Sequence, residues 1–265
     1  MTQNENPADS PVLRKDENGV CHLTLNRPKA YNALSMGCME ALIAQFEALS
    51  KDPDIRVVII SGSGKGFCAG HDLKEMMGEG TEAFFEKTFA TCSKMMTLIH
   101  TLPQPVIAKI HGIATAGGCQ LVAVCDLAVA EEGARFATPG VNIGLFCSTP
   151  MVPLSRTVAR KHALELLLMG DMISAQRACE MGLINRVTPQ DELDAAVLEM
   201  AEKLASKSPL TLKIGKGAFY RQIDMTLHDA YDMCVKTIVG NMMTHDAQEG
   251  ISAFMEKRKP TWTGT

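Results

Sequence analysis

The amino-acid sequence predicts an α/β fold that continues into a helical C-terminal part. Over the first 130 residues, short apolar runs alternate with longer segments of helical periodicity, and this order is typical of α/β proteins. From Pro150 onward, long helical patterns dominate. The chain has no low-complexity linker, and its 265 residues are enough to bury one large hydrophobic core.

Four runs carry the pattern of β-strands. Residues 20–26 alternate apolar and polar side chains, which predicts a half-buried strand. Residues 56–61 are mostly apolar and predict a buried strand. A third strand is expected over residues 105–110 and begins at Pro105, because proline cannot donate to a central ladder. The fourth is a short apolar run over residues 127–130.

The helices are placed by apolar periodicity and by hydroxyl side chains that can cap a helix N-terminus. Ser35 is expected to cap a helix that reaches residue 50, and Thr81 a helix that reaches residue 102. A turn of small residues at 111–118 leads into a short apolar helix over residues 117–125. Further helices are predicted over residues 160–169, 174–181, 190–206, 209–221, 226–239 and 246–259.

Charge and residue spacing exclude several classes of function. The chain has 26 Lys+Arg and 30 Asp+Glu, a formal charge of −4, which argues against nucleic acid as the main partner. No apolar run approaches the roughly 18 to 20 residues that a membrane helix needs, so no membrane partner is predicted. The nine cysteines form no Cys-x-x-Cys pair and the seven histidines no His-x-x-x-His spacing. We therefore predict reduced thiols and no metal.

The N-terminal composition gives a prediction of location. Residues 1–19 mix Asp, Glu, Asn and Pro and contain no apolar signal core. They also lack the Arg-rich, acid-poor pattern of an organelle transit peptide. This composition predicts a cytoplasmic protein.

Two turns of small residues, each directly after a predicted strand, form the candidate site. They are residues 66–73, GFCAGHDL, and residues 111–120, HGIATAGGCQ. Small residues let a ligand approach the backbone, and free N–H groups at a helix start favour negative charge. Two such amides that converge on one point form an oxyanion hole. Neither turn has the Gly-Lys-Ser/Thr of a phosphate-binding loop or the Gly-x-Gly-x-x-Gly of a dinucleotide-binding fold.

Five segments in order, at matching separations, resemble the enoyl-CoA hydratase/isomerase (crotonase) superfamily over roughly residues 12–262. They are LNRPKAYNALS (25–35), GFCAGHDLKEM (66–76), HGIATAGGCQL (111–121), ARFATPGVNIGL (134–145) and AFMEKRK (253–259). The resemblance implies a crotonase-type α/β spiral of ββα units with a C-terminal helical trimerisation region, assembled as a homotrimer or a dimer of trimers. We accordingly expect a disordered tail over residues 1–11, a spiral core over 12–200 and a helical oligomerisation region over 201–265.

The same resemblance implies a substrate and its contacts. The substrate is an acyl-CoA thioester, and no cofactor is implied besides the coenzyme A of the substrate. The backbone amides of His71 and Gly117 are expected to stabilise its enolate or oxyanion, and removing one such donor typically costs about 10²–10³ in rate. Further CoA contacts are implied at Lys29, Ala69, Asp72, Leu73, Phe254 and Lys257, the last two often from a neighbouring subunit. For Lys257, a solvated helix end with favourable dipole interactions is an equal alternative.

The chain departs from the hydratase pattern where that family carries its two glutamates. Those positions hold Gln120, which has no accessible pKa, and Gly140, which has no side chain. A positioned acid or base contributes about 10²–10⁴ to a rate, so efficient hydration is not expected and isomerisation is disfavoured. Gln120 is kept as an assisting group. The residues expected to line the pocket are Gly140, Asn142, Cys147 and Ser148.

His71 leaves several functions open. Some family decarboxylases also lack the glutamate pair and carry a histidine in this turn, so the resemblance allows decarboxylation of a malonyl-type acyl-CoA with help from His71. Alternatively, the histidine contributes only its amide while its ring packs or faces solvent. The chain could also be a non-catalytic acyl-CoA-binding protein. Thioester hydrolysis or retro-type cleavage would use the same hole, but the sequence identifies no base for either.

Overall fold

A six-stranded sheet lies at the centre of the computed structural model, which describes residues 10–265. Its first two strands form an antiparallel hairpin through Asn18 and Gly19, both at positive φ, and its other neighbours pair in parallel. A smaller sheet has three strands. The larger sheet contains, in spatial order, β1 (Val12–Glu17), β2 (Val20–Leu25), β3 (Val57–Gly62), β4 (Val106–Ile110), β6 (Leu127–Glu131) and β9 (Arg186–Thr188), and the smaller one β5 (Ile113–Thr115), β7 (Arg135–Ala137) and β8 (Ile173–Ser174).

Eleven α-helices connect and follow these strands within the described residues. The side chains of Ser35 and Thr81 accept hydrogen bonds from the backbone N–H groups of Cys38 and Phe84, so both predicted N-caps are confirmed. The helices are α1 (Met36–Leu49), α2 (Leu73–Glu79), α3 (Glu82–Thr101), α4 (Gly117–Val124), α5 (Ser148–Thr157), α6 (Arg160–Met169), α7 (Ala175–Glu180), α8 (Leu193–Ala205), α9 (Pro209–Gln222), α10 (Leu227–Met242) and α11 (His245–Glu256).

Both faces of the larger sheet are buried. In β3, Val58 and Ile60 belong to the main core, which also contains Phe46 of α1 and much of α3 and α4. The alternate residue Ile59 faces the other way and packs with Val197 of α8. Successive residues of a strand point to opposite faces of the sheet. A parallel strand that is buried on both faces therefore needs a nearly continuous apolar sequence.

A carboxylate just beyond α4 connects helix α9 to the sheet. The Asp126 carboxylate accepts hydrogen bonds from the backbone N–H of Val106 at 2.7 Å, from Lys216 Nζ at 2.6 Å and from the Tyr220 hydroxyl at 2.8 Å. The side chains of Asp126 and Lys216 are 15% and 8% exposed. Water therefore screens the pair weakly, and the position of α9 depends on α4 and β4.

The predicted fold class and the predicted elements are confirmed. All four predicted strands and all nine predicted helices are present, and their ends differ from the predicted ones by only a few residues. Two strands that were not predicted, β8 and β9, lie after Pro150, where helical patterns dominate the sequence. These strands have two and three residues, too short for an apolar periodicity to be visible in the sequence.

Two longer elements were not predicted because their local sequences give weak or misleading signals. Strand β1 has the sequence VLRKDE, which lacks apolar alternation, and its charges suit its place at the edge of the larger sheet. Helix α5 contains Pro150 in its first turn, where proline is tolerated, and Pro153 in its interior, where the missing N–H normally ends a helix. Both prolines and Leu154 are buried, so tertiary packing holds α5 against its local preference.

The N-terminal region is described only in part. Residues 1–9, most of the predicted disordered tail, lie outside the described residues. Ser10 and Pro11 accept hydrogen bonds from the side-chain and backbone N–H groups of Asn26, so the chain is joined to the end of β2 from residue 10 onward. Over residues 10–265, the helices are all too short or too polar to cross a bilayer.

Candidate active site

The first turn of the site holds His71 beside the start of α1. The backbone N–H of Leu34 donates to the Gly70 carbonyl at 2.7 Å, and the N–H of Asp72 donates to the Leu34 carbonyl at 3.1 Å. In this parallel bridge the residue between the two bonds, His71, turns its own N–H away from Leu34. No hydrogen bond within residues 10–265 uses the N–H of His71.

The second turn leads from β5 into α4 through a strained residue. Ala116 has φ +49° and ψ −116°, an unusual conformation for a residue with a side chain, and its N–H donates to the Ala137 carbonyl at 2.9 Å. Gly117 then begins the helix, and its N–H is one of the first-turn donors that lack an intrahelical acceptor. Among the described residues this N–H likewise has no acceptor.

The two turns touch so closely that only glycine fits between them. A Cβ on Gly70 would lie 2.9 Å from the backbone nitrogen of Gly117. A Cβ on Gly118 would lie 2.0 Å from the Cys68 carbonyl oxygen. The N–H groups of His71 and Gly117 are therefore carried by adjoining segments, and the one at Gly117 is reinforced by the positive end of a helix.

The imidazole of His71 is packed inside the protein rather than solvated. Its ring meets the edge of Phe89 on α3, with 5.1 Å between ring centroids. Its Nε2 is buried and has no hydrogen-bond partner within the described part of the chain. Burial lowers the pKa of His71 from 6.5 to about 4, so the ring is neutral near pH 7.

Gln120 lies one helical turn after Gly117 on α4. Its side chain is buried, and the thiol of Cys92 approaches its Oε1 at 4.0 Å, a weak contact. The amide can orient a substrate atom by hydrogen bonding, but it cannot take up a proton at any accessible pH.

Gly140 does not leave a vacant space. A Cβ there would lie 2.6 Å from the carbonyl oxygen of Leu145 and 2.9 Å from Sγ of Cys147. The backbone N–H of Leu145 also donates to the Gly140 carbonyl at 2.9 Å. The following loop therefore fills the position that a side chain at residue 140 would need.

Comparison with known proteins places this arrangement in a family. A family profile described as enoyl-CoA hydratase/isomerase matches residues 15–265. The chain belongs to the enoyl-CoA hydratase/isomerase family. It is 46% identical to the Xenopus laevis protein named enoyl-CoA hydratase domain-containing protein 3, mitochondrial, over 95% of this chain and 86% of that protein.

Solved structures give the same assignment for the fold. A Mycobacterium smegmatis enoyl-CoA hydratase structure is 51% identical, with a TM-score of 0.93 over 95% of this chain and 98% of that one. The human enoyl-CoA hydratase domain-containing protein 3 structure is 45% identical, with a TM-score of 0.92 over 95% of this chain and 100% of that one. The predicted crotonase-type fold is thereby confirmed.

The prediction of a cytoplasmic location is wrong. The Xenopus laevis, Rattus norvegicus and Homo sapiens relatives, which are 44–46% identical to this enoyl-CoA hydratase/isomerase family member, are all named mitochondrial. The prediction depended only on the composition of residues 1–19, which does not decide the compartment.

Four of the predicted CoA-contact positions lie in the first turn or beside it. Lys29 is exposed on a 3-10 turn, Pro28–Ala30, and this turn lies beside Ala69, whose N–H donates to the Tyr31 carbonyl at 2.9 Å. Leu73 is exposed at the start of α2. Asp72 uses its side chain to cap α2 and to pair with Arg27 at 2.8 Å, so its carboxylate already has partners within the protein.

The other predicted positions are more scattered. Phe254 is 85% exposed near the end of α11, and Lys257 follows that helix. Within residues 10–265, no hydrogen bond joins either of them to the two turns. Their CoA contacts stay predictions.

The predicted pocket-lining residues differ in burial and in hydrogen-bond partners. Cys147 is buried against Gly140, as expected of a small apolar side chain. The Asn142 amide is directed instead to the Gly170 carbonyl, at 3.4 Å. The Ser148 hydroxyl donates to the Phe146 carbonyl at 3.3 Å and is exposed at the start of α5.

Three side chains that the sequence does not single out shape the site. Phe89 of α3 packs against the His71 ring in a T-shaped contact. Arg27 pairs with Asp72 and donates to the Ala33 carbonyl at 2.5 Å. The fully buried Asn32 accepts from the Arg27 N–H and donates to the Ser63 and Gly66 carbonyls. The run LNRPKAYN contains both polar residues, but only the folded structure shows their partners.

The cysteines near the site are buried thiols. Desolvation raises the pKa of Cys68, Cys92 and Cys119 to about 12, so they are protonated and poorly nucleophilic at pH 7. In the portion of the chain that the structure describes, no three His, Cys, Asp or Glu side chains group as metal ligands.

Proposed function

We propose that this chain binds an acyl-CoA thioester and stabilises the negative charge that develops on the thioester oxygen. The observation that supports this proposal is the close placement of two backbone N–H groups, at His71 and Gly117, that bind no acceptor in the described chain. Donors fixed in this way need no reorganisation when charge appears, which makes them effective in catalysis. Coenzyme A would then lie over the exposed Lys29 and Leu73 and the half-buried Ala69.

Efficient enoyl-CoA hydration is not the reaction that we propose. Hydration requires a proton to be taken from water at one carbon and delivered at the other. Gln120 cannot exchange a proton, and the loop after Gly140 fills the second position. Several relatives are named enoyl-CoA hydratases, among them a Pongo abelii protein that is 35% identical, so hydration is the alternative to be tested first.

A second candidate is decarboxylation of a malonyl-type acyl-CoA. The His71 ring favours this reaction. The ring is buried and neutral, and its Nε2 has no hydrogen-bond partner within residues 10–265, so this nitrogen is free to bind a substrate group. The bond between the α-carbon and the carboxylate breaks, its electron pair forms the enolate, and CO₂ leaves. The enolate then takes a proton from water. No strong base is needed, since loss of CO₂ generates the anion that the two amides stabilise.

Self-association belongs to the same proposal. Helices α9 and α10 and the turn between them expose many large apolar side chains. Contiguous exposed apolar surface usually marks an interaction site. We propose that this face mediates a homo-oligomer, as a trimer or a dimer of trimers. The exposed side chains are Phe219, Ile223, Leu227, Tyr231, Val235, Ile238, Val239 and Met242.

The test compares reactions on matched substrates. The protein is incubated with crotonyl-CoA while the enoyl absorbance is followed, and with methylmalonyl- and ethylmalonyl-CoA while CO₂ is measured. We expect hydration slower than about one event per second and measurable CO₂ release. The His71→Ala variant should lose CO₂ release, whereas the control His228→Ala, a residue exposed on α10, should keep it.

Each result separates the candidates. Hydration at tens of events per second would contradict the argument from Gln120 and Gly140. Full CO₂ release by His71→Ala would remove the role of the ring. Binding of every thioester without turnover on any would identify a non-catalytic acyl-CoA-binding protein.

A further inference from the structure

A cavity of about 260 Å³ lies one helical turn beyond the two amides, between α3, α4, α5 and the end of α9. Gln120 lines it, and Gly117 lies three residues earlier on the same face of α4. On α3, Phe89 contacts His71, and Ser93, one turn later, lines the cavity. Both helices therefore lead from the amides into this cavity.

The wall of the cavity has an apolar part and a charged, solvent-exposed part. At the exposed end, Arg156 Nε lies 3.7 Å from Asp224 Oδ1, with side chains 50% and 67% exposed. Arg156 Nη1 donates to the Val152 carbonyl, while its Nη2 has no acceptor within residues 10–265. The apolar part of the wall is formed by Met96, Val124, Val152, Pro153 and Ile223.

We infer that this cavity binds the acyl chain of the substrate and prefers a chain whose far end carries a hydroxyl group. The inference rests on the proposed function, because the thioester must bind at His71 and Gly117 for its chain to pass Gln120. The apolar wall suits an alkyl segment. The exposed end offers a donor on Arg156 and an acceptor on Asp224.

Charge balance selects the end group. The charges of Arg156 and Asp224 offset each other, so a carboxylate or an ammonium group is attracted by one and repelled by the other, and it gains little net electrostatic energy for the hydration that it loses. A hydroxyl both donates and accepts, and it can bind both side chains without adding charge.

The cavity volume sets the chain length. The cavity volume holds roughly nine groups the size of water, at about 30 Å³ each. An acyl chain of about ten carbons would therefore reach the exposed end.

The test is calorimetric titration of the full chain with butyryl-CoA, decanoyl-CoA, 10-hydroxydecanoyl-CoA and decanedioyl-CoA. We expect the hydroxyl-ended chain to bind roughly tenfold tighter than decanoyl-CoA. Arg156→Gln and Asp224→Asn should each reduce that preference to less than about threefold. The control Arg160→Gln, on an exposed arginine outside the cavity, should leave it unchanged.

A second pair of variants tests the path of the chain. Val152→Trp should fill the cavity and weaken binding of both ten-carbon neutral chains at least tenfold, while butyryl-CoA binding is unchanged. Ser155→Trp, on the same helix but outside the cavity, is the control.

The outcomes distinguish this inference from the function on which it rests. Equal binding of decanoyl- and 10-hydroxydecanoyl-CoA, tighter binding of decanedioyl-CoA, or an unchanged preference in Arg156→Gln would overturn the inference while butyryl-CoA still binds. If butyryl-CoA does not bind either, the proposed function itself fails and the inference fails with it.

Discussion

The substitution Gly140→Ala tests whether the second carboxylate position is closed by packing rather than merely lacking a side chain. Its Cβ would lie 2.6 Å from the Leu145 carbonyl oxygen and 2.9 Å from Cys147 Sγ, both below the 3.0 Å that real Cβ contacts keep. The carbonyl belongs to a residue whose N–H is bonded to Gly140 itself, so the loop cannot retreat without losing that bond. One methyl group must therefore be accommodated by strain.

Overpacking of this kind typically costs about 1–3 kcal/mol. At about 2–4 °C of Tm per kcal/mol for a chain of this size, Gly140→Ala should melt roughly 2–12 °C below the wild type. Gly140→Glu should lose more, since it adds a carboxylate to the same closed space. Gly37→Ala is the matched control: a Cβ there meets nothing within 4 Å, and alanine in α1 should be neutral or stabilising by up to about 1 kcal/mol.

The assay is thermal unfolding followed by fluorescence, with urea titration to obtain the free energy of unfolding. A Gly140→Ala protein that melts with the wild type would refute the packing argument. A Gln120→Glu, Gly140→Glu double variant that hydrates crotonyl-CoA and keeps the wild-type Tm would also refute it, because it would show that the loop moves aside at no cost in stability.

Three further substitutions test other parts of the structure. Lys216→Met should lower the free energy of unfolding by about 3 kcal/mol in urea titration, because it leaves the Asp126 carboxylate without its cation; a loss below about 1 kcal/mol would contradict the buried pair. Burial lowers the pKa of His71 to about 4, so the unfolded chain binds the proton first. The free energy of unfolding should therefore fall between pH 6.5 and pH 4, and it should fall less in His71→Gln. Equal pH profiles for the two proteins would argue against a lowered pKa of His71. Ala116→Gly should raise Tm, since glycine relieves the strain at φ +49°; an unchanged or lower Tm would show that the strain is small.

Local signals in the sequence were sufficient for most of the architecture. Ser35 and Thr81 fixed the starts of α1 and α3 because capping depends on residues only three positions apart. The glycine-rich turns pointed to the site because close backbone approach restricts the residue type at Gly118, where a Cβ would lie 2.0 Å from a carbonyl oxygen.

Long-range packing accounts for what the sequence did not predict. The environment of the His71 ring depends on Phe89, on a different helix. The closure at Gly140 depends on a loop that folds back through Leu145, and helix α5 forms although Pro153 lies inside it. In each case the deciding contact is made by residues that are not adjacent in the chain, so no periodicity or motif records it.

The position of Asp126 means that the second turn of the site is held in place partly by contacts at the other end of α4. The eight residues of α4 begin at the amide of Gly117 and end just before this carboxylate, two of whose three donors come from α9. A chain shortened before α9 would keep every residue of both turns. It would still lose the hydrogen bonds from Lys216 and Tyr220 that hold Asp126 at the C-terminal end of α4. Helix α9 therefore supports the proposed anion-binding site, and removing the C-terminal helices to obtain a minimal domain should loosen that site.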